Sequence, residues 1–146
     1  KFIKEIRNAK TQGTGAIGEK ITWDVFERLG KNPRKPIMFD NHLRPDIETD
    51  DAIIEVKTRS WCTTGTAGEK LFAVPYKYCD LPELYGKPLW IVCVAYQEWE
   101  AKAGNTVVFD DIKSPSTNQQ KMLDFWKSMD IHYVKFSDLV RELPDR

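Results

Sequence analysis

Apolar residues recur every four positions after Ala16: Ile17, Ile21, Val25 and Leu29 form one stripe, the pattern of a helix that buries a single face. The spacing predicts that helix over Ala16–Leu29, with Gly30 placed to stop it. Upstream, Phe2, Ile3 and Ile6 share a side of a short amphipathic segment over residues 1–10, and Thr11-Gln-Gly-Thr-Gly15 reads as a break between the two. Beyond Gly30 the period changes. Residues 36–40, 44–49 and 52–58 are strand candidates, with Asp50-Asp51 as a two-residue turn between the last two. A helix is expected between Gly65 and Tyr78, interrupted near Pro75. Leu89 to Tyr96 is a continuous apolar run, as in a central strand covered on both faces. The remainder predicts a strand at 106–109, a helix over 118–128, a strand at 132–136 and a final helix that Ser137 would cap. Hairpin strands followed by a crossover helix imply an α/β fold, a mixed central sheet flanked by helices. The expected core spans about residues 16–96, followed by a mixed extension over about 100–146 of the same domain.

The composition agrees with this and narrows the function. A chain of 146 residues with 41% hydrophobic positions suits one compact domain with its own core. No apolar run approaches the roughly 18 residues that span a bilayer, so no membrane partner is expected. No leader pattern is visible in residues 1–7, where charges are mixed. Cys62, Cys79 and Cys93 are odd in number and form no CxxC pair, which argues against a disulfide framework or a zinc site and for a cytoplasmic protein. Cys93 lies in the apolar run and reads as core.

Formal net charge is zero, which excludes a generic coater of nucleic acid. The charges are nonetheless segregated. Residues 1–36 carry nine basic and four acidic side chains, and residues 40–55 carry six acidic and one basic. An acidic cluster in a neutral chain is either a solvated turn or a cation site, and its spacing discriminates. Side chains alternate along a strand, so Ile54 and Val56 face one way and Glu55 and Lys57 the other. If Thr49 faces Ala52 across the turn, the same register sets Asp46 opposite Glu55, with Cβ atoms about 4.5–5.5 Å apart. Two carboxylates so placed repel. A hard divalent cation resolves the conflict, and Mg²⁺ is commonly held by one or two carboxylates with waters and a substrate phosphate. The Val56 carbonyl is a further candidate ligand. Lys57 would stand where it can orient water or stabilise a phosphorane-like transition state. The bland alternative is that Glu55 and Lys57 form the solvated face of an edge strand. Asp50 and Asp51 read as turn residues, and His42 and His132 as isolated structural or surface histidines.

Pro45-Asp46, eight residues, then Glu55-Val56-Lys57 resembles the signature of the PD-(D/E)XK nuclease superfamily, which includes type II restriction endonucleases, Holliday-junction resolvases and repair nucleases. The resemblance covers about two thirds of the chain. It implies a restriction-endonuclease-like αβββαβ core and a metal-dependent DNA endonuclease in which Asp46 and Glu55 bind the metal and Lys57 assists the chemistry. It adds Glu19, in Gly18-Glu19-Lys20, as the match to a glutamate that many members carry on the first core helix. An acidic residue in a first helical turn is also favoured by the helix dipole. The implied cofactor is Mg²⁺, with Mn²⁺ able to replace it, and the implied partner is double-stranded DNA. A type II restriction enzyme is favoured over a resolvase, and a homodimer would match two-fold DNA. A binding module that kept the fold without catalysis is the remaining alternative. Arg59, Trp61 and Lys70 flank a small-residue loop leaving the catalytic strand and are the candidate DNA contacts; Trp61 packed on the core is the alternative there. Tyr76, Lys77 and Tyr78 are weaker candidates.

Overall fold

The structure is a computed structural model and describes residues 11–39, 43–59 and 69–144. The expected helix over residues 1–10, together with His42, Trp61 and Cys62, lies outside the described residues. Ten elements follow one another: α1 (Thr11–Arg28), β1 (Ile47–Glu48), β2 (Ile53–Arg59), α2 (Lys70–Lys77), α3 (Leu81–Tyr85), β3 (Leu89–Ala95), α4 (Tyr96–Ala103), α5 (Thr117–Ser128), β4 (Ile131–Lys135) and α6 (Phe136–Arg141). The strands form one mixed sheet in the order β1-β2-β3-β4. β1 and β2 are antiparallel, while β2, β3 and β4 are parallel. The chain is therefore α/β, with a four-stranded mixed sheet between helices.

Period-two alternation sorts the interior into two layers. Ile54, Val56, Val92 and Val94 turn to one side and pack with Ile21, Val25 and Phe26 of α1 and Leu139 of α6. Ile53, Leu89, Ile91, Cys93 and Ile131 turn to the other and meet Leu71, Val74, Tyr78 and Leu81. β3 is buried on both faces, as its unbroken apolar run predicts. No helix among the described residues is long and apolar enough to cross a membrane.

α1 begins earlier than the breaker at 11–15 predicts. Ile21, Val25 and Phe26 anchor its C-terminal half, and extending a nucleated helix through a glycine costs only about 1 kcal/mol. Its end is as expected. Gly30 has φ 72°, its N–H donates to the Glu27 carbonyl and the Lys31 N–H to that of Phe26, the paired bonds of a left-handed helix stop.

The three expected strands before α2 are reduced to two, and the first of these is short. Residues 36–39 form no strand. Pro33 and Pro36 remove two backbone donors, the Ile37 N–H goes to Glu48 Oε1 at 3.3 Å, and only Arg34 bridges β1. The strand expected over 44–49 shrinks to two residues. Pro45 has no N–H to offer, and the Asp46 side chain, in place of a backbone carbonyl, takes the Val56 N–H of β2. The Asp50-Asp51 turn is present. Thr49 N–H donates to the Ala52 carbonyl at 2.8 Å, and Thr49 Oγ1 accepts from the N–H groups of Asp51 and Ala52. Lys31 and Arg34 pair with the two aspartates at 2.9 and 3.0 Å, which accounts for both as turn residues.

Three later expectations also change. Residues 106–109 form no strand, because Val108 and Phe109 both donate to the Ala101 carbonyl at the end of α4. β3 stops at Ala95, whose φ of 60° turns the chain straight into α4. Ser137 lies inside α6 rather than capping it; its N–H and hydroxyl both donate to Glu98 at 2.8 Å, so a carboxylate from α4 supplies the acceptor. β4 joins the sheet beside β3, so the C-terminal third completes the core instead of extending it.

Glu48 shows how the fold handles a buried acid. Its side chain is 5% exposed and meets Lys87 Nζ at 2.7 Å and Arg34 at 3.6 Å. Burial pushes its carboxyl up, but Lys87, the Ile37 amide and Arg34 together outweigh burial and hold it below the usual value of 4.5. A carboxyl lowered on folding contributes stability that is complete above its unfolded value and is lost as pH falls through the folded one. Glu48→Gln should therefore lower stability at pH 7 by about 1–3 kcal/mol, leaving Lys87 without its carboxylate and with the Thr49 carbonyl as its remaining charge-free acceptor. Thermal melts of both proteins between pH 7 and pH 3 should converge as pH falls below 4.5; a gap that does not narrow would contradict the assignment.

Candidate active site at the end of the hairpin

The hairpin register sets the site. Ile47 faces Ile54 and Glu48 faces Ile53, the register in which Asp46 is next in line for Glu55. The ladder ends one residue short of that pair. Asp46 N–H donates to the Ile54 carbonyl at 2.9 Å, and Asp46 Oδ2 accepts the Val56 N–H at 2.7 Å. A carboxylate thus stands where a longer β1 would have placed a backbone carbonyl. The Val56 carbonyl lies on the same edge of β2 as its N–H, beyond Ile47, the first residue of β1.

Glu55 is 5% exposed and belongs to the layer of Ile53 and Ile91. Its Oε2 accepts the Tyr78 hydroxyl at 3.1 Å and lies 3.5 Å from Lys57 Nζ. Its Oε1 is buried with no hydrogen-bond partner. Burial pushes the Glu55 carboxyl well above the usual carboxylate range, and the neighbouring Asp46 charge adds to this; Lys57 and the Tyr78 hydroxyl oppose it. The Asp46 charge acts on Glu55 at close range; when both carboxyls are ionised each can only accept, so the pair repels. Glu55 and Glu48 are both buried, yet they are pushed in opposite directions: two cations neutralise Glu48, whereas Glu55 has an acid for a neighbour.

Glu19 joins from α1. Burial raises its carboxyl and the Asp46 charge raises it further, with Arg44 opposing. The structure therefore brings Glu19, Asp46, Glu55 and Lys57 into one electrostatic neighbourhood. Among the described residues no three His, Cys, Asp or Glu side chains converge as a closed metal cage. The donors that are present suit a hard cation that keeps water and phosphate ligands: two adjacent carboxylates, an orphaned buried oxygen on one of them, and a strand-edge carbonyl at Val56.

The candidate DNA contacts separate. Arg59 is 12% exposed, ion-paired with Glu100 and 5.4 Å from the centre of the Tyr96 ring, so its charge is engaged within the fold. Lys70 is exposed in the first turn of α2. Trp61 lies outside the described residues. Tyr76 is exposed, whereas Tyr78 points into the core and onto Glu55. That role of Tyr78 is not visible in the sequence: the contact spans 23 residues, and nothing local marks it. His132 pairs with Asp130 at the surface, and Cys93 is core. Comparisons with protein-family models, with curated proteins and with solved structures find no match.

Gly18 fixes how closely α1 approaches β2. A Cβ there would stand 1.7 Å from Thr58 Oγ1 and 2.7 Å from Thr58 Cβ. Gly18→Ala should therefore push the helix that carries Glu19 off β2 and lower stability by about 1–3 kcal/mol. Thr58 Oγ1 has no hydrogen-bond partner, so Thr58→Ala alone should cost little and should restore part of the loss in the double variant. Denaturant unfolding of the three proteins reads this out; a Gly18→Ala protein as stable as wild type would refute the close contact.

Proposed function

We propose that this chain is a Mg²⁺-dependent endodeoxyribonuclease with a restriction-endonuclease-like PD-(D/E)XK core. The observation that carries the reading is the buried Glu55, with one oxygen unpartnered, set against Asp46 and sharing its strand face with Lys57. An acid pair of this kind weakens a fold unless a cation or a proton joins it, and a lysine beside such a pair is suited to phosphodiester hydrolysis. The solvated-edge alternative fares poorly, because Glu55 is buried and β2 has a neighbour on each side.

Asp46 and Glu55 are the proposed cation ligands, with the Val56 carbonyl as a third. A divalent cation held there supplies Lewis acidity and acidifies water. Lys57 Nζ places positive charge beside the reacting phosphate and holds Glu55 Oε2. Glu19 lies close enough to Asp46 to tune the negative charge of the site. Double-stranded DNA is the proposed substrate. A sequence-specific type II restriction enzyme acting as a homodimer is the form of this reading we adopt, and preferential cutting of branched over linear DNA would replace it with a resolvase.

A plasmid-nicking assay tests the proposal. Wild-type protein should nick in Mg²⁺ or Mn²⁺ and not in EDTA, and Glu55→Gln should be inactive. Lys57→Ala should bind DNA in Ca²⁺ as well as wild type, yet cut about 10²–10³-fold more slowly, since its charge acts mainly in the transition state. Single-turnover rates measured beside gel-shift affinities separate the two effects. Cutting by Lys57→Ala at the wild-type rate would remove the proposed chemistry.

A further inference from the structure

Glu55 presents two chemically equivalent oxygens, and a rotation about its last side-chain bond exchanges them. The structure distinguishes them. Oε2 accepts the Tyr78 hydroxyl and faces Lys57, whereas Oε1 is buried and unpartnered. We propose that Tyr78 is a positioning residue of the cation site: its hydroxyl locks Oε2, so that Oε1 is the oxygen committed to the cation. The inference rests on the metal-dependent reading above and adds to it a residue outside the acidic and lysine set.

Tyr78 is built to hold a fixed direction. It lies at the C-terminal end of α2, where its N–H donates to the Val74 carbonyl at 2.9 Å and its own carbonyl accepts from Leu81 at 3.0 Å. The residue is 8% exposed and packs with Leu71, Val74 and Leu81. A phenol O–H makes a single donor bond, and here the acceptor is a carboxylate oxygen, which makes the bond charge-assisted when Glu55 is ionised. Lys57 alone would hold Oε2 less well: at 3.5 Å its ammonium is a longer contact on a flexible stem. Partners behind a ligating side chain fix its orientation and raise its affinity for metal. Tyr78 also ties the site to the second layer of the core, since α2 packs there and β2 carries the ligand.

Calorimetric titration of Mn²⁺ into wild type, Tyr78→Phe and Val74→Ala tests this, with thermal melts of each protein without metal. Tyr78→Phe keeps the ring and removes the donor. It should bind Mn²⁺ about 10–100-fold more weakly and need correspondingly more Mg²⁺ for half-maximal cleavage, while the rate at saturating Mg²⁺ stays close to wild type. Val74→Ala loosens the same helix without touching Glu55; its melting temperature should fall while its Mn²⁺ affinity stays at the wild-type level. If wild type binds Mn²⁺ and Tyr78→Phe binds it equally well, the positioning role is overturned and the nuclease reading stands. Equal weakening by Val74→Ala would assign the effect to packing and likewise overturn it. Failure of wild type to bind Mn²⁺ would overturn both.

Discussion

Asp46 and Glu55 are pressed together at the end of a two-residue strand, and the surrounding structure is arranged around that conflict. Like charges in a poorly solvated place cannot both be satisfied. Elsewhere the fold avoids the problem: Glu48 has Lys87 and Arg34, the turn aspartates have Lys31 and Arg34, and Glu98 has Lys102 and the first turn of α6. Among the described residues the Asp46–Glu55 pair has one ion-paired cation, Lys57, at 3.5 Å from one oxygen, and otherwise neutral donors, the Tyr78 hydroxyl and the Val56 N–H. A site that keeps negative charge under-compensated costs stability, and such cost persists in proteins where a bound cation offsets it.

Several unrelated features converge on holding the pair in place. Pro45 and the late start of β1 free Asp46 to use its side chain on Val56, which fixes the carboxylate at the sheet edge. The Thr49 turn sets the register. Gly18 lets α1 come against β2 and brings Glu19 towards Asp46. On the other face, α2 delivers Tyr78. The pair is therefore held from both layers.

Much of this was legible in the sequence, because it is local. The alternation along 53–59 puts Glu55 and Lys57 on one face, the two-residue turn sets the register with Asp46, and the four-residue stripe marks α1. The unbroken run at 89–95 marks a strand covered on both sides. Errors fell where a distant partner decides. Prolines and the Glu48 carboxylate keep residues 36–39 from forming the expected strand, a carboxylate from α4 replaces Ser137 as the cap of α6, and backbone bonds to Ala101 take residues 106–109 out of the sheet. Arg59 reads as a DNA contact until Glu100 comes up beside it in the fold. The role of Tyr78 is hidden for the same reason. Helices α3 and α4 leave no clear signal in the sequence, because both are short and lack a clean apolar stripe.

The most direct test of the central claim is the melting temperature of Asp46→Asn beside wild type, with and without millimolar Mn²⁺. An asparagine oxygen can still accept the Val56 N–H, so the substitution removes the charge and little else. If the pair is a cation site held under repulsion, Asp46→Asn should melt higher than wild type without metal and lose most of the stabilisation that Mn²⁺ gives wild type, which amounts to about 2.7 kcal/mol at a hundredfold excess over Kd. An Asp46→Asn protein that melts lower than wild type without metal, yet is stabilised by Mn²⁺ as strongly as wild type, would contradict the account.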